Sequence, residues 1–299
     1  MRIFVTGATG FIGSRVVSNL LAGGHQVTGL VRSEEAARKL SDAGATPQRG
    51  TLEDPQSWLS GIENCDAVIH TAFDHDFSQF VANCEKDRRV IAAIGSVLKG
   101  TSRPLIITSG TAMGDDDSGQ PAREDFFNPA NPNPRRASEL EGNIQLAAGV
   151  DVRVVRLPQV HNTERQGLLS YYTPLAQQKG MAAYIGEGEN GWCAAHVDDV
   201  ARLYVNVLEQ GESGKRYHAV AEESISARQI AEVVAEGLGV PCVSLKAEQA
   251  EAHFGWFALF ATHDLRASGE WTRQQLNWQP QGPGLLDDLR DMDYSVFAK

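Results

Sequence analysis

The sequence predicts an α/β fold: a doubly wound parallel sheet followed by a smaller C-terminal unit. Three observations carry this. Short apolar strand patterns alternate with helical patterns through the first half of the chain, the rhythm of βαβ units that close into a parallel sheet. The first strand runs straight into glycines at 7, 10 and 13, and then into a helix. Beyond about residue 160 the alternation loosens into longer helices and an aromatic segment.

Residues 2–6 hold the contiguous apolar β-type residues Ile3, Phe4 and Val5, a buried strand. The following helix carries Ile12, Val16, Leu20 and Leu21 at helical spacing and stops at Gly23-Gly24. Between them the chain turns sharply. Gly7 permits the turn, Gly10 lets the backbone approach a pyrophosphate, and Gly13 lets helix and strand pack closely. The helix N-terminus adds a partial positive charge. Gly7, Thr9, Gly10, Phe11, Ile12 and Gly13 are therefore the expected cradle of a dinucleotide. The spacing is GxxGxxG rather than GxGxxG, so its position between a strand and a helix carries the argument.

Further strands are expected at Gln26–Val31, Thr46–Arg49, Ala67–Phe73, Leu105–Ser109 and Val152–Leu157. Helices are expected at Glu34–Leu40, at Phe80–Leu98 and after Asn133-Pro134. Asp115–Pro134, rich in Asp, Asn, Gly and Pro, reads as a loop able to form a lid beside the ligand. Later come a helix at Val197–Gln210 and another at Ser226–Leu238, with Ser226 and Gln229 spaced as a capping box. The aromatic stretch Ala252–His263 suits a core, a dimer interface or a substrate-pocket wall that includes Trp256.

The 299 residues suffice for one large domain or two small ones. A net charge of −11 argues against general binding of nucleic acid or anionic membranes. Cys65, Cys84, Cys193 and Cys242 are far apart and lack metal-ligand spacing, so reduced, mostly buried thiols and no metal site are expected. No leader pattern precedes the first strand and no apolar run reaches ~18 residues, so a cytoplasmic protein is expected.

The second strand ends in Arg32-Ser33, nineteen residues past Gly13. An acid there would bond a ribose 2′-hydroxyl. A guanidinium instead forks onto a 2′-phosphate, and Ser33 can add a hydrogen bond, so NADP(H) is the expected cofactor. Arg15 and Arg38 are weaker candidates for the same phosphate.

Thr6-Gly7-Ala8-Thr9-Gly10-Phe11-Ile12-Gly13 resembles the extended, epimerase/dehydratase-like branch of the short-chain dehydrogenase/reductases. Asp66–Ala72, Ile106–Thr111, Val155–Pro158, Ala195–Ala201 and Leu276–Pro280 resemble its later landmarks, so the likeness spans nearly the whole chain. The resemblance implies a Rossmann domain over residues 1–160, to which segments around 195–220 return, and a mainly substrate-binding domain over 161–299. It also implies a homodimer through Rossmann-domain helices. By the same likeness Leu52, His70, Thr71, Ala72 and Pro158 lie along the cofactor, and Ser109 is the active-site serine.

The departure is central. The family's catalytic pair is a Tyr followed four residues later by a Lys, and here the matching positions are Arg135 and Glu139. Arg135 stays protonated and is a poor proton donor, although it can stabilise an alkoxide electrostatically. Glu139 can accept from ribose hydroxyls, or the two can form only an i,i+4 ion pair. Gly142, costing about 1 kcal/mol in a helix interior, signals a close approach on that face. His161 and His75 are candidate proton donors, the latter with flanking acids able to raise its pKa. Phe73, Thr111, Tyr184, Trp192 and Trp256 are candidate pocket residues. The expected function is NADPH-dependent reduction of aldehydes or ketones, with Ser109 polarising the carbonyl. An epimerase, isomerase or lyase, or a redox-silent NADP(H)-binding sensor, are the alternatives.

Overall fold

The computed structural model describes residues 1–297. The first half runs β1 (Arg2–Thr6), α1 (Gly13–Ala22), β2 (Gln26–Val31), α2 (Glu34–Asp42), β3 (Thr46–Arg49), β4 (Ala67–His70), α3 (Phe80–Leu98), β5 (Pro104–Gly110), α4 (Arg136–Ala147) and β6 (Asp151–Leu157). The second half continues with β7 (Gln159–His161), α5 (Leu169–Lys179), β8 (Ala182–Ile185), β9 (Gly191–His196), α6 (Val197–Gln210), β10 (Arg216–His218), β11 (Glu222–Ser226), α7 (Ala227–Leu238) and β12 (Cys242–Leu245). Short helices close the chain: α8 (Ala250–Phe254), α9 (Ala258–Ala261), α10 (Glu270–Leu276) and α11 (Leu285–Asp291).

Seven strands form a parallel sheet in the order β3-β2-β1-β4-β5-β6-β10. The order reverses between β1 and β4, and in such sheets the crevice at this switch point takes the ligand. The alternation of β1 builds both faces: Ile3 and Val5 enter the core under α1 and α6, while Phe4 packs with Trp58, Ile91 and Ile107 on the other side. Local chemistry sets the helix ends. Ser33 caps α2, its hydroxyl accepting from the Ala36 N–H at 3.1 Å, and Ser226 with Gln229 completes both halves of a capping box on α7.

Residues 197–218 return to the first unit, where α6 lies against α1 and β10 adds the seventh strand. The segment after α10 returns as well. Trp278 is buried in the same core, and the buried Asp199 carboxylate accepts from the Gln281 and Gly282 N–H groups. A separate core around Tyr172, Trp192, Phe254 and Phe257 organises the second unit, with the small sheets β11-β9-β7 and β12-β8.

Two expectations need correction. The strand expected to reach Phe73 ends at His70, where its pairing with β5 stops, and residues 71–76 leave the sheet toward the second unit. The loop 115–134 is fastened rather than lid-like. Ala122 bridges to Ala267, the buried Arg156 guanidinium donates to the carbonyls of Arg123 and Phe126, and Glu124 accepts from Thr272. The thiols are mostly buried, as expected: Cys65, Cys84 and Cys193 lie inside, and Cys242 is exposed at the start of β12. No helix among the described residues is long and apolar enough to cross a membrane.

Candidate active site

The glycine turn is built to be backbone only. Gly7 has φ +68°, which favours glycine, and a Cβ there would lie 2.8 Å from the Ala72 nitrogen. A Cβ on Gly13 would lie 2.1 Å from the Gly7 carbonyl oxygen, so the start of α1 sits directly on the turn. The first N–H groups of a helix have no partner within it, and here they are presented at the switch point. A close, backbone-lined approach is what a pyrophosphate requires, so these residues fit a dinucleotide. Thr9 and Gly10 are exposed, while Phe11 and Ile12 are half-buried against the core. Two arginines flank the Phe11 ring, Arg15 at 5.3 Å and Arg165 at 5.8 Å. Arg165, from the loop after β7, carries no local sequence signal and was not anticipated.

Arg32 is exposed at the end of β2, and among the described residues no carboxylate pairs with it. The Ser33 cap uses an oxygen lone pair and leaves the hydroxyl proton free to donate. Lys86 lies between Glu53 and Asp74, 2.8 Å from each. Its hydrogen bond holds the Asp74 carboxyl below the usual range, with Arg32 adding to the effect. Leu52 is half-buried beside the core under Trp58, and Pro158 links β6 to β7. Arg15 pairs with Asp198 at 3.3 Å.

At the nicotinamide end, one buried carboxylate organises the strand ends. Asp87 of α3 accepts from Arg135 Nη1 at 2.7 Å, Ser138 Oγ at 2.5 Å and His70 Nε2 at 2.9 Å. Burial opposes its ionisation, but Arg135 and His70 outweigh that and hold the carboxyl below the usual carboxylate range. His70 Nε2 thus faces Asp87, and its Nδ1 lies 2.6 Å from the Thr6 hydroxyl. The His70 carbonyl accepts from Thr108 Oγ1 at 2.7 Å, and Thr71 Oγ1 donates to the Thr6 carbonyl at 2.8 Å. The His70 ring therefore braces the glycine turn against α3 and has no nitrogen left for a cofactor.

Arg135 does not pair with Glu139. Its Nη2 donates to the Thr108 carbonyl at 2.8 Å, and its guanidinium lies 4.2 Å from the Phe73 ring centroid. Glu139 has partners of its own on β6 and β10. It is fully buried and accepts from Arg156 at 2.8 and 2.9 Å and from Arg216 at 2.7 Å. Both its oxygens are occupied, so it is a structural ion-pair centre and not a ribose acceptor. Burial and the Arg156 guanidinium push the neighbouring His218 down to about 3. A Cβ on Gly142 would meet Ile107 Cδ1 at 2.7 Å, the close approach of α4 to β5 that the glycine signalled.

Ser109 is buried at the C-terminal end of β5, and its hydroxyl has no hydrogen-bond partner. An orphaned buried hydroxyl costs about 1–3 kcal/mol. At a strand end beside Arg135, that is the mark of a group awaiting a ligand. Nearby, Thr111 Oγ1 is buried against Cys193 Sγ at 3.4 Å.

The remaining candidates separate. His75 sits at the cleft surface between Phe73 and Phe77. The surrounding protein lowers its pKa, and Arg135 and Arg165 lower it further, outweighing the flanking Asp74 that was expected to raise it. His161 is sealed in the second unit, its Nδ1 bound to Asp288 at 2.6 Å and its Nε2 without a partner. Burial lowers its pKa against the pull of Asp288. Among the described residues no contact joins it to Ser109 or Arg135. Trp192 is core, stacked on Phe257, and Tyr184 is half-buried at the edge of that core under Arg228. The aromatic segment divides: Phe254 and Phe257 are buried, whereas Trp256 faces Phe77 across the cleft.

Residues 3–221 match the NAD dependent epimerase/dehydratase family. The chain belongs to that family. An uncharacterised protein of Schizosaccharomyces pombe is 45% identical over 98% of this chain and 100% of its own length. A 4-hydroxy-2-methyl-3-oxo-4-farnesyl-3,4-dihydroquinoline-1-oxide ketoreductase of Stigmatella aurantiaca is 27% identical, covering 87% of this chain and 82% of its own. The NAD complex of UDP-glucose 4-epimerase from Thermus thermophilus has the same fold, with a TM-score of 0.74 and 20% identity over 99% of both chains. Arg135 and Glu139, at the positions where the resemblance expects a Tyr–Lys pair, are two differently partnered charges.

Proposed function

We propose that this chain is an NADPH-dependent reductase of aldehydes or ketones. The observation that carries the reading is Ser109, a buried and unpartnered hydroxyl at the end of β5. The likeness to a ketoreductase supports it. When bound, the dinucleotide supplies the hydride that reaches the carbonyl carbon. Gly7, Gly10, Gly13 and the start of α1 hold its pyrophosphate, and Arg32 with Ser33 takes the 2′-phosphate.

The chain's own groups handle the oxygen. Ser109 Oγ–H donates to the carbonyl oxygen and orients it. As the π electrons move onto that oxygen, Ser109 and the Arg135 charge stabilise the alkoxide. Arg135 does not release a proton. His75, at the cleft surface, delivers the proton that completes the alcohol.

Absorbance loss of NADPH with a panel of aldehydes and ketones tests the reading. Tight NADPH binding without turnover on any of them would overturn it. Arg32→Ala is expected to raise the NADPH Kd about tenfold or more, the worth of a charge-assisted hydrogen bond, and to leave NADH within about twofold. Equal effects on the two cofactors would remove the case for the 2′-phosphate.

The acid role of His75 has a definite sign. Its pKa lies below the ordinary 6.5, so kcat is expected to fall as pH rises through that lowered value. His75→Gln should flatten this limb. An unchanged profile in the variant would assign the proton elsewhere.

One observation bears on an isomerase or epimerase instead: the buried His161 holds Asp288 at Nδ1 and has no partner at Nε2. That reading requires product without net NADPH consumption.

A further inference from the structure

We infer that the substrate is a flat, multi-ring aromatic carbonyl compound whose outer ring inserts between Phe77 and Trp256. The inference relies on the reductase reading for the position of the carbonyl at Ser109, but not for the binding of the ring.

A row of π systems leads from Arg135 to the contact between Phe77 and Trp256. The Arg135 guanidinium lies 4.2 Å from the Phe73 centroid, Phe73 meets His75 at 5.4 Å, and His75 meets Phe77 at 6.2 Å. There the first unit touches the second. Phe77 and Trp256 stack at 4.7 Å with only 5° between their planes. Tyr171 of α5 sets its edge against both rings, at 5.4 Å and 5.3 Å. Yet Trp256 remains 44% exposed and Tyr171 39% exposed. Contiguous exposed aromatic rings of this kind form a binding surface.

The contact is almost wholly aromatic, with Phe260 meeting both Phe77 and Trp256 at 6.2 Å. Apart from a Tyr171 hydroxyl donating to the His75 carbonyl at 3.5 Å, it is ring on ring. An aromatic pair contributes about 0.5–1.5 kcal/mol beyond its buried area. A flat guest between Phe77 and Trp256 would meet a ring face on each side in place of their single shared face. The inner end suits the same compound, because the guanidinium over Phe73 favours a π face beside it. A short aliphatic carbonyl reaches Ser109 without meeting Trp256 and gains none of this. Phe77 and Trp256 are thus specificity-determining residues, selecting by shape and π surface.

The test uses the full chain loaded with NADP⁺, which binds substrate without turnover, and biphenyl-4-carbaldehyde as probe. Calorimetric Kd values for the parent, Trp256→Ala, Trp256→Phe and Phe77→Ala are compared. Steady-state rates are then measured with NADPH on the same probe and on propanal. Trp256→Ala and Phe77→Ala are expected to weaken the probe about tenfold in Kd and to lower the ratio of probe to propanal kcat/KM about tenfold, with Trp256→Phe near the parent. Phe77→Ala serves as an independent arm should Trp256→Ala fold poorly. Equal losses for probe and propanal, or a parent that binds the probe no more tightly than propanal, would overturn the inference. Binding as expected with no NADPH oxidation on any carbonyl would instead overturn the reductase reading and leave this one standing.

Discussion

Glu139→Lys is expected to lower the melting temperature by about 10 °C or more, or to prevent folding. The substitution would place a lysine where the family resemblance expects one, yet here it strikes a buried ion cluster. Glu139 and Arg156 are both fully buried, and Arg216 completes the group. Removing one partner of a buried ion pair costs about 3–5 kcal/mol, and a lysine adds a third cation beside two guanidiniums. Glu139→Gln keeps one acceptor and should fall between the parent and the lysine variant. Thermal unfolding followed by circular dichroism measures this. A Glu139→Lys protein melting within about 2 °C of the parent would show that the cluster contributes little. Acid acts on the same group. Burial opposes the ionised form, but Arg156 and Arg216 hold the Glu139 carboxyl below its usual range. Its contribution is therefore present above the unfolded pKa and is lost as pH falls through the lower folded one.

Ser109→Ala should reduce kcat/KM by about 10²–10³, the cost of removing one donor from a developing oxyanion. The fold should not suffer, because the hydroxyl has no protein partner to lose. Melting temperature should be unchanged or slightly higher, and the NADPH Kd should stay at the parent value. A loss below about threefold would place the carbonyl away from Ser109. A parallel loss of NADPH binding would make the serine a cofactor contact instead.

Much of the fold was legible in the sequence because its signals are local. β2, β3, α3 and α6 run over the residues expected of them, since period, caps and breakers act within a turn or two. The glycine turn was legible for a related reason: only a residue without a Cβ fits where that atom would meet the Gly7 carbonyl at 2.1 Å. β4 was overextended because Thr71-Ala72-Phe73 still has strand chemistry, and only the limit of pairing with β5 ends it. The site was less legible. Arg135 and Glu139 look like an i,i+4 pair, but Arg135 binds Asp87, 48 residues earlier, and Glu139 binds Arg156, 17 residues later. Asp87, Ser138, Arg165, Phe77 and Tyr171 carry no motif at all and matter through what surrounds them.

The sequence alone determined that this chain turns on glycine at the end of β1 and winds a parallel sheet with a ligand crevice at its strand ends. Backbone conformation and hydrophobic period are properties of neighbouring residues. Tertiary structure alone decided which charge is buried against which, that Ser109 is left without a partner, and that Phe77 meets Trp256 across the cleft. Such partners are brought together by strand order and helix packing, so their desolvation and pairing energies exist only once distant segments have closed around them.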